Sequence, residues 1–191
     1  MTQIIDSFIS TAIEYLQVYG MPFGFFIIVL ESIIPALPLG VFVAFNMMAF
    51  GTIIGFIISW IATIVGCILS YLLFYKVIGK WLKSKLKKID KYNKLIKRIS
   101  SIKFTTLVLV TALPFSPAFA INIAAGIAKI DFKKFLIALL IGKVSVVYFW
   151  GYIGKSLLES ITNFNTLITI LIMLLLSYVI SKLINKKFKI E

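Results

Sequence analysis

The sequence predicts an all-α integral membrane protein. The architecture expected is an inverted repeat of a re-entrant helical hairpin plus a transmembrane helix, with an N-terminal amphipathic helix and a C-terminal transmembrane helix. Three observations predict it. Of the 191 residues 61% are hydrophobic and the mean hydropathy is +1.05, whereas a soluble domain is nearer half apolar. Residues 32–75 carry no charge. Two Pro-x-x-Pro motifs, Pro35/Pro38 and Pro114/Pro117, interrupt the apolar runs. No Pro/Gly/Ser-rich linker divides the chain, so residues 1–191 read as a single membrane domain.

The formal net charge is +13. In a soluble protein this would point to nucleic acid. Here more than half of the 20 Lys and Arg residues lie between Lys76 and Lys103, and an apolar run begins at once with Phe104. That arrangement fits a cytoplasmic segment beside anionic lipid headgroups, and no nucleic-acid partner is expected. The single Cys67 cannot form an internal disulfide. The absence of histidine removes the commonest metal ligand and general base. There is no phosphate-binding Gly-Lys-Ser loop, no zinc pattern and no nucleophile beside a base, so neither enzyme activity nor a cofactor is expected. Residues 1–20 lack the Lys or Arg that would open a cleavable signal peptide.

The elements follow in order. In residues 1–20, Ile4, Ile5, Phe8, Ile9, Ala12, Ile13 and Leu16 fall on one helical face, with Asp6, Ser10, Glu14 and Gln17 elsewhere. This predicts an amphipathic helix in the membrane interface, without the basic face common in binders of anionic lipid. The uncharged run after Glu31 would be about 66 Å long as one helix, against a hydrocarbon core of about 30 Å. It must fold back, and Pro35 and Pro38 supply the break. From Met21 to Ile34 a helix reaches only about 21 Å, too short for an ordinary span. Residues 21–50 therefore read as a first hairpin and residues 51–75 as a transmembrane helix. Residues 76–103 are basic and carry Trp81 and Tyr92, as expected of a surface helix. Residues 104–128 are uncharged around Pro114 and Pro117 and read as a second hairpin. Residues 135–155 form a span interrupted by Lys143, and residues 160–181 form a last, uncharged span.

Charge fixes the expected topology. The basic segments 76–103 and 129–134 go inside, so residues 104–128 enter and leave on one side. The spans 135–155 and 160–181 then return the tail, with Lys182, Lys186, Lys187 and Lys189, to the inside. The span 51–75 starts outside, and residues 1–20, with two acids and no bases, suit that side. Residues 21–50 must likewise enter and leave on one side. The two hairpins are thus expected to enter from opposite faces.

An internal repeat agrees. Pro35-x-x-Pro38, Gly66 and Gly79-Lys80 recur as Pro114-x-x-Pro117, Gly142 and Gly154-Lys155 at nearly the same intervals. Inverted repeats with broken helices meeting at mid-membrane are a transporter signature.

Glu31 is the sharpest candidate, lying about 15 Å along its helix from Met21. An acid at that depth is expensive and usually functional. It serves as a proton or cation site or as a counter-charge to a lipid amine; the alternative is a residue that caps the hairpin turn. Lys143 either snorkels back to the interface, pairs with Glu31 or holds a phosphate. The Pro-x-x-Pro turns leave backbone groups unpaired, tolerated at depth only inside protein or beside a wet cavity. Ser116, Asn122 and Asn46 either line a polar path or satisfy those broken bonds. Gly55, Ser59, Thr63, Gly66 and Ser70, and Ala138, Gly142 and Ser145, recur at helical spacing as close-packing faces.

Glu31-Ser-Ile-Ile-Pro35-Ala-Leu-Pro38-Leu-Gly40 resembles the first hairpin of the DedA-like, VTT-domain family. Ala112-Leu-Pro114-Phe-Ser-Pro117, followed by Asn122-Ile-Ala-Ala-Gly126, resembles the second. Phe135, Gly142 and Gly151-Tyr-Ile-Gly154 continue the likeness over residues 20–155. The resemblance implies a bacterial plasma-membrane, multi-pass protein with two opposed re-entrant hairpins, a cytoplasmic C-terminus and membrane lipids as partners. It implies lipid scrambling or flipping, of phospholipid or polyprenyl phosphate, in support of membrane homeostasis, and it adds Gly126 to the path residues. Thr111 stands where the family often has an arginine, and Gly40 where many members have a second acid, so an acid–arginine set for proton coupling is not carried over. Two other functions are open to the residues: an ion- or proton-coupled transporter of a small solute with Glu31 as its coupling site, and a non-transporting adaptor docking a partner on the basic segment.

Overall fold

A computed structural model describes residues 2–34, 39–78, 96–159 and 164–188. The described residues form helices and turns without a strand. Pro35 and Pro38, most of the basic segment (79–95), Gly79-Lys80 of the repeat and the start of the expected last span (160–163) lie outside them.

Helix α1 spans Thr2–Ile33 and is two helices joined at Gly20, whose φ of 72° and ψ of −172° are non-helical. Glycine reaches this conformation without a Cβ penalty. Pro22 follows in the first turn of the second arm, where its missing N–H breaks no bond. The kink thus falls where the sequence divides its amphipathic helix from its first hairpin, and Ser10 and Glu14 of the first arm are exposed. Helix α2 is Leu39–Phe50 and α3 is Thr52–Leu73, joined through Gly51 at φ 83°. A π-helical turn, Phe74–Ile78, continues α3. Helices α4 (Phe104–Ala112) and α5 (Ala118–Ile127) flank the Pro114/Pro117 turn. They are 9 and 10 residues long, so each reaches about 15 Å, half of a bilayer core.

Helix α6, Phe132–Glu159, extends beyond the expected 135–155 at both ends. Its start is set by Asp131, whose Oδ1 accepts the Lys134 N–H at 2.9 Å as an N-cap. Helix α7 runs Phe164–Phe188, past the expected residue 181 and through its lysines.

Two stretches among the described residues are long and apolar enough to cross a membrane, Thr52–Lys76 and Phe132–Ser156, and less than half of each is buried in protein. Large apolar residues are exposed on each at helical spacing: Ile53, Ile57 and Ile61 on one, Ile137, Ile141, Val144 and Tyr148 on the other. Such continuous apolar faces require lipid.

The long helices α3 and α6 touch each other and carry both hairpins. α1 packs on α3 and α4 packs on α6, while α2 also packs on α6 and α5 on α3. The buried cluster around Ile28, Val43, Met47 and Val147 lies under the first hairpin. The cluster around Tyr71, Leu107, Phe135 and Leu139 lies under the second. The glycines of the close-packing faces, Gly66 and Gly142, sit at helix contacts. A Cβ on Gly66 would lie 2.5 Å from Ser32 Cβ and 2.8 Å from the Val29 carbonyl, and one on Gly142 would collide with Thr111 Oγ1. Small residues let helices approach to this distance where lipid supplies no hydrophobic drive.

Candidate functional site

The second hairpin leaves carbonyls at its broken end without helical partners, and side chains of α6 bind them. Ser145 Oγ donates to the Ala112 carbonyl at 2.6 Å, and Trp150 Nε1 donates to the Pro114 carbonyl at 3.3 Å. Thr111 Oγ1 donates to the Ala138 carbonyl of α6 at 3.1 Å while also lying 3.0 Å from the Leu107 carbonyl in its own helix. These bonds hold the turn beside α6 without filling the space between the two hairpins.

That space is a cavity of about 560 Å³. The last turn of α1 brings Glu31 and Ser32 to it, α6 brings Lys143, and α5 brings Asn122. Pro114, Ser116 and Pro117 line it from the turn. The Glu31 carboxylate accepts from Ser32 Oγ at 3.4 Å, and the same hydroxyl donates to the Ile28 carbonyl at 3.0 Å. Lys143 is 3% exposed. It does not snorkel to the interface; it lines the same cavity as Glu31. Asn122 is 1% exposed and its Nδ2 has no hydrogen-bond partner. An acid, an amine and an unsatisfied amide therefore converge among mostly apolar walls, including Val110, Phe119 and Ile153.

Two of the sequence candidates, Asn46 and Gly126, are not among the residues lining this cavity. Asn46 is fully buried between helices; its Nδ2 donates to the Gly24 carbonyl at 3.3 Å and to Ser59 Oγ at 3.1 Å. It ties α1, α2 and α3 together. Gly126 is buried against α3, where a Cβ would meet the Tyr71 carbonyl at 2.6 Å. It is a packing residue.

Sequence reasoning missed Thr63, Cys67, Thr111 and Trp150 as wall residues. Signals existed for two of them: Thr111 stands at the family's arginine position, and Cys67 follows Gly66 as Lys143 follows Gly142. Nothing in the chain marks Trp150, which depends on a contact between α6 and the turn. No group of three or more His, Cys, Asp or Glu side chains suited to a metal occurs among the described residues. The chemistry on offer is charge complementarity and hydrogen bonding to a polar group in apolar surroundings.

The VTT domain family model matches residues 37–156. The uncharacterized membrane protein YhjE of Bacillus subtilis (strain 168) is 27% identical over 180 residues, covering 94% of this chain and 87% of that protein. No solved structure matches the chain.

Proposed function

The chain belongs to the DedA-like, VTT-domain family of bacterial membrane proteins, and from that premise we propose that it moves lipids, phospholipid or polyprenyl phosphate, across the plasma membrane. The observation that carries this reading is the cavity shared by Glu31, Lys143 and Asn122. A lipid headgroup has to cross hydrocarbon, where an unpaired charge or hydrogen-bonding group is costly. In this proposal Lys143 offsets a phosphate, the Asn122 amide donates to it, and Glu31 holds a positive group or balances Lys143. The acyl chains stay in the bilayer.

The hairpins act as opposed re-entrant loops of an inverted repeat, and matched contacts support this. Ser32 and Thr111 each stand three residues before their hairpin's first proline, and each returns a hydrogen bond to the carbonyl four residues earlier, at 3.0 Å. Each lies against the central glycine of a long helix, Gly66 and Gly142 respectively. Two residues after the second proline, Gly40 lies against Trp150 and Phe119 lies 6.2 Å from Phe74, with Trp150 and Phe74 each eight residues beyond the corresponding glycine. Glu31 and Val110 hold one pair of equivalent places, Cys67 and Lys143 another, and all four line the cavity. The cavity thus straddles the repeat's symmetry axis, charged in one diagonal and apolar in the other. The topology that follows is multi-pass, with the lysine-rich ends and the C-terminus cytoplasmic.

Reconstituted into liposomes, the protein should accelerate exchange of a labelled phospholipid or polyprenyl phosphate between leaflets. Glu31→Gln and Lys143→Gln should each slow it. Exchange no faster than in protein-free liposomes would remove the proposal. The buried acid Glu31 favours a second reading, an ion- or proton-coupled transporter of a small solute. It predicts uptake driven by a pH gradient and abolished by Glu31→Gln, with no lipid exchange.

A further inference from the structure

A second pocket, of about 500 Å³, lies where the end of α3 meets the link between α5 and α6, lined by Tyr71, Tyr75, Lys76, Lys129, Asp131 and Phe132 among others. The geometry points to a docking site here for the phosphate of an anionic phospholipid headgroup. The site goes beyond the transport reading and does not depend on it.

Both walls carry unusual backbone. Lys129 is the non-glycine residue with positive φ among the described residues, at 53°. Its N–H donates to the Gly126 carbonyl and the Ile130 N–H to the Ala125 carbonyl, each at 3.1 Å. This is a Schellman end to α5, with Lys129 at the position glycine ordinarily takes. A lysine kept there bears strain that packing does not require, because its side chain is exposed. Strain of that kind marks functional positions. On the facing wall, Tyr75 and Lys76 belong to the π-helical turn Phe74–Ile78, a rare conformation also concentrated at functional sites.

The side chains make a receptor for one negative charge. Lys129 Nζ lies over the Tyr75 ring, 5.5 Å from its centroid, and Lys76 lines the same pocket. The Asp131 carboxylate also faces it, but is engaged in capping α6 through the Lys134 N–H. Two lysines and one aspartate leave a single positive charge, matching a phosphodiester monoanion. The floor is rigid: Tyr71 Oη donates to the Ile130 carbonyl at 2.7 Å, and its ring stacks on Phe135 at 4.8 Å between centroids. The occupant is a lipid because the pocket sits at the ends of the apolar stretches Thr52–Lys76 and Phe132–Ser156. Tyrosine and lysine are the residues that meet headgroups at that level.

The test uses the full chain in nanodiscs of phosphatidylcholine with graded phosphatidylglycerol, and counts retained phosphatidylglycerol by native mass spectrometry. Lys76→Gln and Lys129→Gln should each weaken retention about fivefold, the effect of one basic residue at an anionic surface. Lys129→Gly should weaken it as much while raising the melting temperature, since glycine relieves the strained φ; this variant separates lost binding from lost folding. Lys97→Gln/Arg98→Gln, outside the pocket, should leave retention nearly unchanged. Equal loss in that control would mean diffuse surface attraction and would overturn the site. So would displacement of phosphatidylglycerol by millimolar inorganic phosphate, which would make the pocket a receptor for a soluble anion.

Discussion

Ser145 on α6 donates a 2.6 Å hydrogen bond to the carbonyl of Ala112, at the broken end of α4. A helix that stops leaves its last carbonyls without intrahelical donors, and side chains of a neighbouring helix can supply them. Ser145 supplies one, and Trp150 supplies another to Pro114. The turn is therefore anchored by the neighbouring long helix, which leaves its other side open to the cavity.

Ser145→Ala removes that donor and should cost about 0.5–1.5 kcal/mol, the net worth of one hydrogen bond at an exposed position. Thermal unfolding in detergent should show it, with Ser145→Thr, which keeps a hydroxyl, closer to wild type. An unchanged melting temperature in Ser145→Ala would show that water replaces the bond.

Gly66→Ala and Gly142→Ala should be destabilising to a similar degree, each by about 1–3 kcal/mol, because a Cβ at either place overlaps the arm of a hairpin. Matching losses would support the proposed inverted repeat, and unequal losses would count against it. Gly51→Ala meets no neighbour within 4 Å, so its cost should come only from its backbone, φ 83° and ψ 155°, and amount to about 1–3 kcal/mol.

Asn46→Ala should lower stability by about 2 kcal/mol through loss of its bonds to Gly24 and Ser59. Transport per folded molecule should be unchanged, since Asn46 does not line the cavity. A variant that folds normally and transports poorly would return Asn46 to the path.

Glu31 and Lys143 should be coupled. The double variant Glu31→Gln/Lys143→Gln should be less destabilised than the sum of the single variants, by about 1 kcal/mol or more, because removing one charge leaves the other without its partner. A charge-swapped double variant no better than the worse single variant would show that the two do not act as a pair.

Cys67, the chain's single cysteine, lines the cavity and reports on it directly. A small membrane-permeant thiol reagent should label it and inhibit transport, and a bulky reagent should label it more slowly. Substituting the wall residue Phe119 by Ala should speed the bulky reaction. Equal rates for both reagents would place Cys67 outside a confined space.

Much of the fold could be read in advance from local features. The change of pattern near residue 20 marked a break, which falls at Gly20, and Pro114 and Pro117 follow the end of α4 where the missing donors require. The uncharged run on either side of Gly66 is long enough to be a span, and it forms one apolar helix, Thr52–Leu73, of sufficient length. Helix ends were less legible: α6 begins earlier than its apolar run because Asp131 caps it, and α7 continues through lysines that hydropathy treats as a stop. Among the site residues, Glu31, Lys143, Ser116 and Asn122 were found because polar groups in apolar runs stand out. The same rule selected Asn46, which is equally polar and equally buried but bonds to other helices instead of a cavity.

By itself, then, the sequence determined the solvent, the breaks and the places of the rare charges, since hydropathy, proline and glycine act within a few residues of chain. Only the tertiary structure decided that Glu31 at the end of α1 and Lys143 of α6 face one cavity. That meeting is made by glycines that bring hairpins onto both long helices, and contact between distant helices leaves no local trace in composition or period.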